Sequence, residues 1–140
     1  MICVVAALIE SEGKILVCQR RRGNSFELLW EFPGGKKEAD ESPPQALARE
    51  LREELGVEAD IGEEVYRTVH QYREMSQPIE LIFFRANFRA SLGASAGPAE
   101  VENRVFEQIQ WRTPESLREL QFLPADKELI EKLASGALRL

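Results

Sequence analysis

The sequence is sparing in the residues that define specialised protein classes. Its two cysteines, Cys3 and Cys18, form no C-x-x-C pair, which excludes a disulfide framework and a thiolate zinc site. Both read as small buried hydrophobes in a reducing compartment. His70 is the only histidine, so no histidine-rich metal centre can be assembled, and no nucleophile in the sequence is marked as its partner. It reads as structural or close to substrate. No apolar run approaches the roughly 20 residues of a membrane span. The opening Met1–Val5 lacks a basic n-region and reads as a strand, not a signal peptide. The expectation is a cytoplasmic protein without a membrane partner. Basic residues are also in deficit, 18 against 24 acids for a net charge of −6. That balance gives no general attraction to a nucleic acid backbone. It suits a protein that concentrates carboxylates around a hard cation, which then bridges to an anionic substrate.

What is present is 140 residues of ordinary globular composition, 44% hydrophobic and 30% charged. This is enough for one domain, taken as residues 1–140, that buries roughly two-thirds of its unfolded surface. Residues 2–9 and 14–20 are β-rich runs joined by Glu10-Ser11-Glu12-Gly13, a hairpin pattern. Leu28 to Phe32 is a third apolar run, stopped by Pro33-Gly34-Gly35. The spacing then predicts a helix over 43–55. Ser42 is its N-cap, Pro43 suits the first turn, Gln45 completes a capping box and Gly56 is the stop. Leu47, Leu51 and Leu55 form its buried stripe. Further strands are expected at 64–72, 79–88 and 105–111, with a loop from Ser91 to Pro98. A short helical turn follows Thr113-Pro114, and a last helix runs over 125–133, stopping near Gly136. The order β-β-β-α-β-β-β-α predicts an α/β (α+β) chain with a mixed sheet flanked by helices.

Glu50, Glu53 and Glu54 fall within an arc of about 100° on the first helix. Like charges at these spacings cost a helix roughly 0.2–0.5 kcal/mol per pair. One reading is a solvated acidic face relieved by Arg49. The other is a cation site, since clustered carboxylate oxygens are what Mg²⁺ or Mn²⁺ prefers. Just upstream, Gly34-Gly35-Lys36-Lys37-Glu38 is a glycine-rich loop that can approach a ligand closely and offer amides to phosphate oxygens.

These pieces compose one pattern. From Gly35 the chain reads five residues to Glu41, seven more to Arg49-Glu50-Leu51, then Glu53-Glu54 and Gly56-Val57. Over residues 35–57 this matches the signature of the Nudix hydrolases without a departure. Glu31-Phe32-Pro33-Gly34-Gly35-Lys36, Gln19-Arg20-Arg21 and Leu123-Pro124-Ala125-Asp126 resemble the MutT-type nucleoside triphosphate branch of that family.

The resemblance implies an α/β/α sandwich that uses one or more divalent cations to activate water for attack on a diphosphate linkage. It implies that Glu50, Glu53 and Glu54 are metal ligands, with the Gly35 carbonyl a fourth and Mg²⁺ or Mn²⁺ the ion. Glu50 doubles as general base, with Glu53 the alternative. Arg49 orients these acids through ion pairs, partly with Glu41. Arg20 contacts phosphate, Phe32 and Gly34 lie against the substrate, and Phe83 and Phe84 are open between base pocket and core. Asp126 corresponds to a position that reads the base in some relatives. An aspartate there accepts from an amino group, or donates when protonated, which favours cytosine or an altered purine pattern such as 8-oxo-dGTP. Otherwise Asp126 is a plain polar residue in the first turn of the last helix.

One position departs from the family. Where relatives place another acidic ligand, six residues before Trp111, this chain has Val105; Glu100, Glu102 and Glu107 are the substitutes within reach. The expected activity is hydrolysis of a nucleoside triphosphate to the monophosphate and pyrophosphate. The alternatives are a Nudix hydrolase of ADP-ribose or dinucleoside polyphosphates, and a non-catalytic nucleotide-binding module. The partner is a small nucleotide. The assembly is left between monomer and homodimer.

Overall fold

The computed structural model describes residues 1–89 and 101–140, so the Ser91–Pro98 loop and Glu100 lie outside the described residues. Helix α1 spans Pro43–Leu55, as the spacing predicts. Ser42 Oγ accepts from the Gln45 amide at 3.2 Å, and Gln45 Oε1 accepts from the Ser42 amide at 2.8 Å. Such a cap contributes about 1 kcal/mol. Gly56 closes the helix in the left-handed region (φ 66°), its amide donating to the Arg52 carbonyl. Ala46, Leu47, Leu51 and Leu55 are buried without remainder, each leucine contributing roughly 1.5–3 kcal/mol.

The strands are β1 (Ile2–Leu8), β2 (Glu10–Ser11), β3 (Lys14–Gln19), β4 (Trp30–Glu31), β5 (Gly34–Lys36), β6 (Ala59–His70), β7 (Ile79–Phe88) and β8 (Gln108–Arg112). They divide between two sheets. In the first, of order β5-β1-β7-β6, β1 and β7 run parallel and the outer pairs antiparallel, giving the expected mixed character. In the second, all antiparallel, β3 carries β2 and β4 along one side and β8 along the other. Only Ile9 separates β1 from β2, so one continuous stretch of chain links the sheets.

Side-chain alternation along β1 divides the core. Val5, Ala7 and Ile9 pack with Leu47, Leu51 and Leu55 of α1. Ala6 and Leu8 face the opposite side and pack with Leu129, Ile130 and Leu133 of helix α2 (Lys127–Ser135). The chain is therefore an α/β/α sandwich. No helix among the described residues is long and apolar enough to cross a membrane.

Several boundaries differ from expectation for local reasons. The apolar run 28–32 yields only Trp30–Glu31 as strand, because Leu28 adopts a left-handed backbone (φ 63°) that breaks extension. Gly34–Lys36, expected as a turn, pairs with Val4–Ala6 as β5. A Cβ at Gly34 would run into the Val5 carbonyl and stand 2.8 Å from the Ala6 Cα, so only glycine lets β5 close on β1. Strand β6 begins five residues early and ends at His70. Strand β8 begins late because Asn103 closes a turn, its Oδ1 accepting from the Phe106 amide at 2.9 Å. The last helix is preceded by a 3₁₀ turn over Pro124–Asp126.

Candidate active site

The pairing of β5 with β1 carries the glycine loop over the acidic face of α1. Glu54 Oε1 accepts from the Gly34 amide at 3.1 Å, so an amide expected to be available to phosphate donates here to an acid. A Cβ on Gly35 would stand 2.5 Å from the Glu50 carboxyl carbon, which makes glycine the residue that admits Glu50 beneath the loop. Arg49 forms the expected ion pairs. Its Nε and Nη2 grip Glu41 at 3.0 and 2.6 Å, its Nη1 reaches Glu50 at 3.0 Å and Glu53 at 3.4 Å, and its Nη2 also donates to the Lys36 carbonyl at 3.1 Å. One guanidinium thus ties the loop, Glu41 and two of the three helix acids together.

The electrostatics of this face are those of crowded acids. Burial, and then Glu50 and Glu31, push the Glu54 carboxyl up to about 8, against the opposing pull of the Gly34 amide. Burial also raises Glu50, while its bond to Arg49 opposes the rise. Glu41 is held down to about 2 by its Arg49 hydrogen bond and by the Glu38 amide. A partly buried carboxylate whose nearest charges are other carboxylates is the donor set of a hard divalent cation. Among the described residues, no three acidic, histidine or cysteine side chains are gathered ready-made around one metal position. The reason is visible in the bonds: Glu50 and Glu53 turn to Arg49, and Glu54 turns to Gly34.

Arg20, just beyond β3, pairs with Glu31 of β4, its Nη1 lying 3.3 and 3.2 Å from the two carboxylate oxygens. Its Nε donates to the Ser25 carbonyl at 2.7 Å and its Nη2 to Ser25 Oγ at 3.2 Å. Burial raises the Glu31 carboxyl, and Arg20 opposes that rise.

Arg20, Glu31 and Glu54 line both parts of a two-chambered cleft. One chamber, of about 300 Å³, also holds Glu50, Glu53, Arg21 and Asn24. The other, of about 200 Å³, is walled by Phe32, Phe83, Tyr72, Leu123 and Asp126 together with Gly34 and Gly35. Asp126 is 3% exposed, and its Oδ1 is buried without a hydrogen-bond partner among the described residues. Burial, then Glu31, push its carboxyl up to about 8. It stands at the head of α2 but makes no capping bond there, so helix capping does not account for it. Leu123 and Asp126 are brought to the cleft by the bridge between Trp30 and Phe122, in which the Trp30 amide donates to the Gln121 carbonyl at 2.8 Å.

The structure thus gathers Arg20, Phe32, Gly34, Gly35, Glu50, Glu53, Glu54 and Asp126 around one cleft, with Arg49 and Glu41 behind it. Phe83 lines the aromatic chamber, while Phe84, one residue on, packs in the α1 core instead. His70 lies against Tyr72 with ring centroids 4.4 Å apart. Glu102 pairs with Arg104 at 2.8 Å, and Glu107 accepts from the Arg22 amide at 3.2 Å; neither lines the acidic chamber. Sequence reasoning assigned no role to Glu31, Ser25 or Tyr72. Glu31 was detectable as a carboxylate in an otherwise apolar run, whereas nothing local marks Ser25.

The NUDIX domain profile matches residues 1–133. The CTP pyrophosphohydrolase of Escherichia coli K12 is 44% identical over 132 residues, covering 94% of this chain and 90% of the relative. The 8-oxo-dGTP diphosphatase of Haemophilus influenzae is 36% identical over 134 residues, covering 95% and 91%. Among solved structures, the E. coli ORF135 protein superposes with a TM-score of 0.79 at 39% identity, covering 98% of this chain and 89% of that one. A profile match over nearly the whole length, joined to an intact 35–57 signature folded around one cleft, identifies this chain as a member of the Nudix hydrolase family.

Proposed function

We propose that this chain, acting as one catalytic domain, is a Mg²⁺-dependent pyrophosphohydrolase that cleaves a nucleoside triphosphate to the monophosphate and pyrophosphate. The observation that carries this reading is the two-chambered cleft, in which an acidic compartment and an aromatic compartment meet at Arg20. A nucleoside triphosphate has the matching division, with phosphates at one end and a flat base at the other. Relatives named for CTP and for 8-oxo-dGTP support cytosine and oxidised guanine nucleotides as the first candidates.

Hydrolases of this family use divalent cations. Glu50, Glu53 and Glu54, with the Gly35 carbonyl, are the residues that would hold Mg²⁺ here, Mn²⁺ being the nearest substitute. When bound, such a cation supplies Lewis acidity, neutralising phosphate charge and making water a stronger nucleophile. Glu50, whose proton affinity burial has raised, accepts the proton of the attacking water as the phosphoanhydride bond breaks. Glu53 is the alternative base. Arg49, held by Glu41, keeps the acids aligned, and Arg20 binds the phosphates. Phe32 and its aromatic neighbours flank the base, and Asp126, unpartnered on one oxygen, reads its hydrogen-bonding edge.

The test is chromatographic detection of the nucleotide products, with pyrophosphate followed alongside, across ordinary and oxidised ribo- and deoxyribonucleoside triphosphates, ADP-ribose and diadenosine polyphosphates, with and without Mg²⁺. Mg²⁺-dependent pyrophosphate from triphosphates, with one base preferred, is the expected result. Activity confined to ADP-ribose or dinucleotides would overturn the substrate class, and silence of folded protein across the panel would favour a binding module.

A further inference from the structure

Arg20 is enclosed by its own loop. The Arg20 amide donates to the Leu29 carbonyl at 2.9 Å, and the Leu28 amide donates back to the Arg20 carbonyl at 3.0 Å, which pins the ends of the 21–28 segment together. Within that segment Phe26 (φ 54°) and Leu28 (φ 63°) both adopt the left-handed backbone, which is disfavoured for bulky L-residues. Two such residues in three positions persist only where surrounding contacts determine them. The contacts made are specific. Ser25 supplies its carbonyl and hydroxyl to Arg20, and the Phe26 ring packs on Tyr72 at a centroid separation of 4.9 Å. Tyr72 lines the base-side chamber, and its hydroxyl accepts from the Ala125 amide at 3.4 Å, beside Asp126. From the other side Glu31 holds Arg20 through both oxygens. The guanidinium is therefore held from two sides, by Ser25 and by Glu31, at the junction of the two chambers.

We propose that Glu31 and the strained Ser25–Phe26 turn are positioning elements that preset the Arg20 guanidinium for the substrate's phosphates and link its orientation to the Tyr72 wall of the base chamber. The proposal rests on the assignment of Arg20 as a phosphate contact. A guanidinium already held in a fixed fork loses little rotamer freedom on meeting a phosphate, and the preset geometry appears as tighter binding, not as faster chemistry. Phe26 makes the turn responsive to what fills the base chamber.

Two readouts test this. The first needs no substrate: the Arg20 Nε–H resonance in protein carrying ¹⁵N-arginine, assigned by its disappearance in Arg20→Lys. Held by the Ser25 carbonyl, this proton is expected to exchange slowly in the wild type and to broaden or shift in Glu31→Gln and in Phe26→Gly. The glycine variant also relieves the backbone strain, which offsets part of the packing lost with the ring. An unchanged resonance in both variants overturns the proposal. The second is KM and kcat on CTP for Glu31→Gln, Arg20→Lys and the double variant. Glu31→Gln is expected to raise KM about tenfold, the worth of one charge-assisted hydrogen bond, with kcat little changed and no further effect in the Arg20→Lys background. Equal effects of Glu31→Gln in both backgrounds would mean that Glu31 acts independently of Arg20, and the proposal fails. An unchanged KM in Arg20→Lys, with the resonance behaving as expected, overturns instead the assignment of Arg20 to phosphate.

Discussion

The Glu54 carboxylate lies 3.1 Å from the Gly34 amide and is surrounded by three further acids, Glu50, Glu31 and Glu53. A single backbone donor is a weak partner for a carboxyl that burial and like charge have raised to about 8. A divalent cation must displace the proton that this group retains near neutrality. The melting-temperature gain produced by millimolar Mg²⁺ is therefore expected to grow from pH 6 to pH 9, with proton release on titration. Thermal shift and calorimetry in buffers of different ionisation enthalpy check both. A gain independent of pH would remove Glu54 from the cation's partners.

Replacing that carboxyl by an amide separates binding from folding. Glu54→Gln is expected to keep the Gly34 contact and to be more stable than wild type in metal-free buffer at pH 9, where the buried charge is no longer formed. It is also expected to lose the Mg²⁺-induced shift, and turnover should fall about a hundredfold or more, the scale seen when a preorganised charge-stabilising group is removed. Urea titrations with and without Mg²⁺, alongside steady-state rates, are the measurement.

The two glycines of the loop should fail differently when given a methyl group. At Gly35 the new Cβ meets the end of the flexible Glu50 side chain, so Gly35→Ala should cost less than about 1.5 kcal/mol in stability yet sharply reduce turnover as Glu50 is displaced. At Gly34 it meets the β1 backbone, so Gly34→Ala should lower stability by about 3 kcal/mol or more and reduce activity only through unfolding. Chemical denaturation paired with kcat separates the two.

Asp126 makes the folded protein sensitive to pH. Its carboxyl, raised to about 8 by burial, stays protonated in the folded chain over pH values at which the unfolded chain has already lost that proton. Between about pH 4 and pH 8 the folded state therefore binds more protons, and stability falls as pH rises, by up to about 1.4 kcal/mol per unit from this group. Asp126→Asn is expected to flatten that slope and to alter the order of preference among bases. An unaltered base preference would reduce Asp126 to a structural residue.

Arg49 reaches Glu50 while gripping Glu41, so Glu41→Gln should act at a distance. A loss of about 10- to 100-fold in activity or metal affinity is expected with little change in melting temperature, as when an outer residue that orients ligands is lost. Lysine at position 49 should not rescue, because a point charge cannot span Glu41, Glu50 and the Lys36 carbonyl together.

Much of this arrangement was legible in the sequence because it is local. The α1 helix, its cap and its stop depend on residues within one turn of each boundary, and the spacing of Glu50, Glu53 and Glu54 fixes their common face. What could not be read depends on chain segments far apart in sequence. Glycine-rich Gly34–Lys36 looks like a turn until β1 is available to pair with it. The partition into two sheets follows from β3 pairing with β8, nearly a hundred residues later. The isolation of Asp126 arises only when Trp30 meets Phe122, and Glu31 acquires a partner only once the 21–28 segment has folded back on Arg20.

The alternation along β1 has a further consequence. Helix α1, which bears the acids, is anchored by Val5, Ala7 and Ile9, whereas Phe32, Tyr72 and Phe83 around Asp126 belong to the packing on the other face. On the proposed reading, exchanges among the latter are expected to alter which base is accepted without disturbing the leucines that seat α1. Selectivity and hydrolysis are, on that reading, separately heritable, and a lineage can change its diet of nucleotides while keeping its way of cutting them.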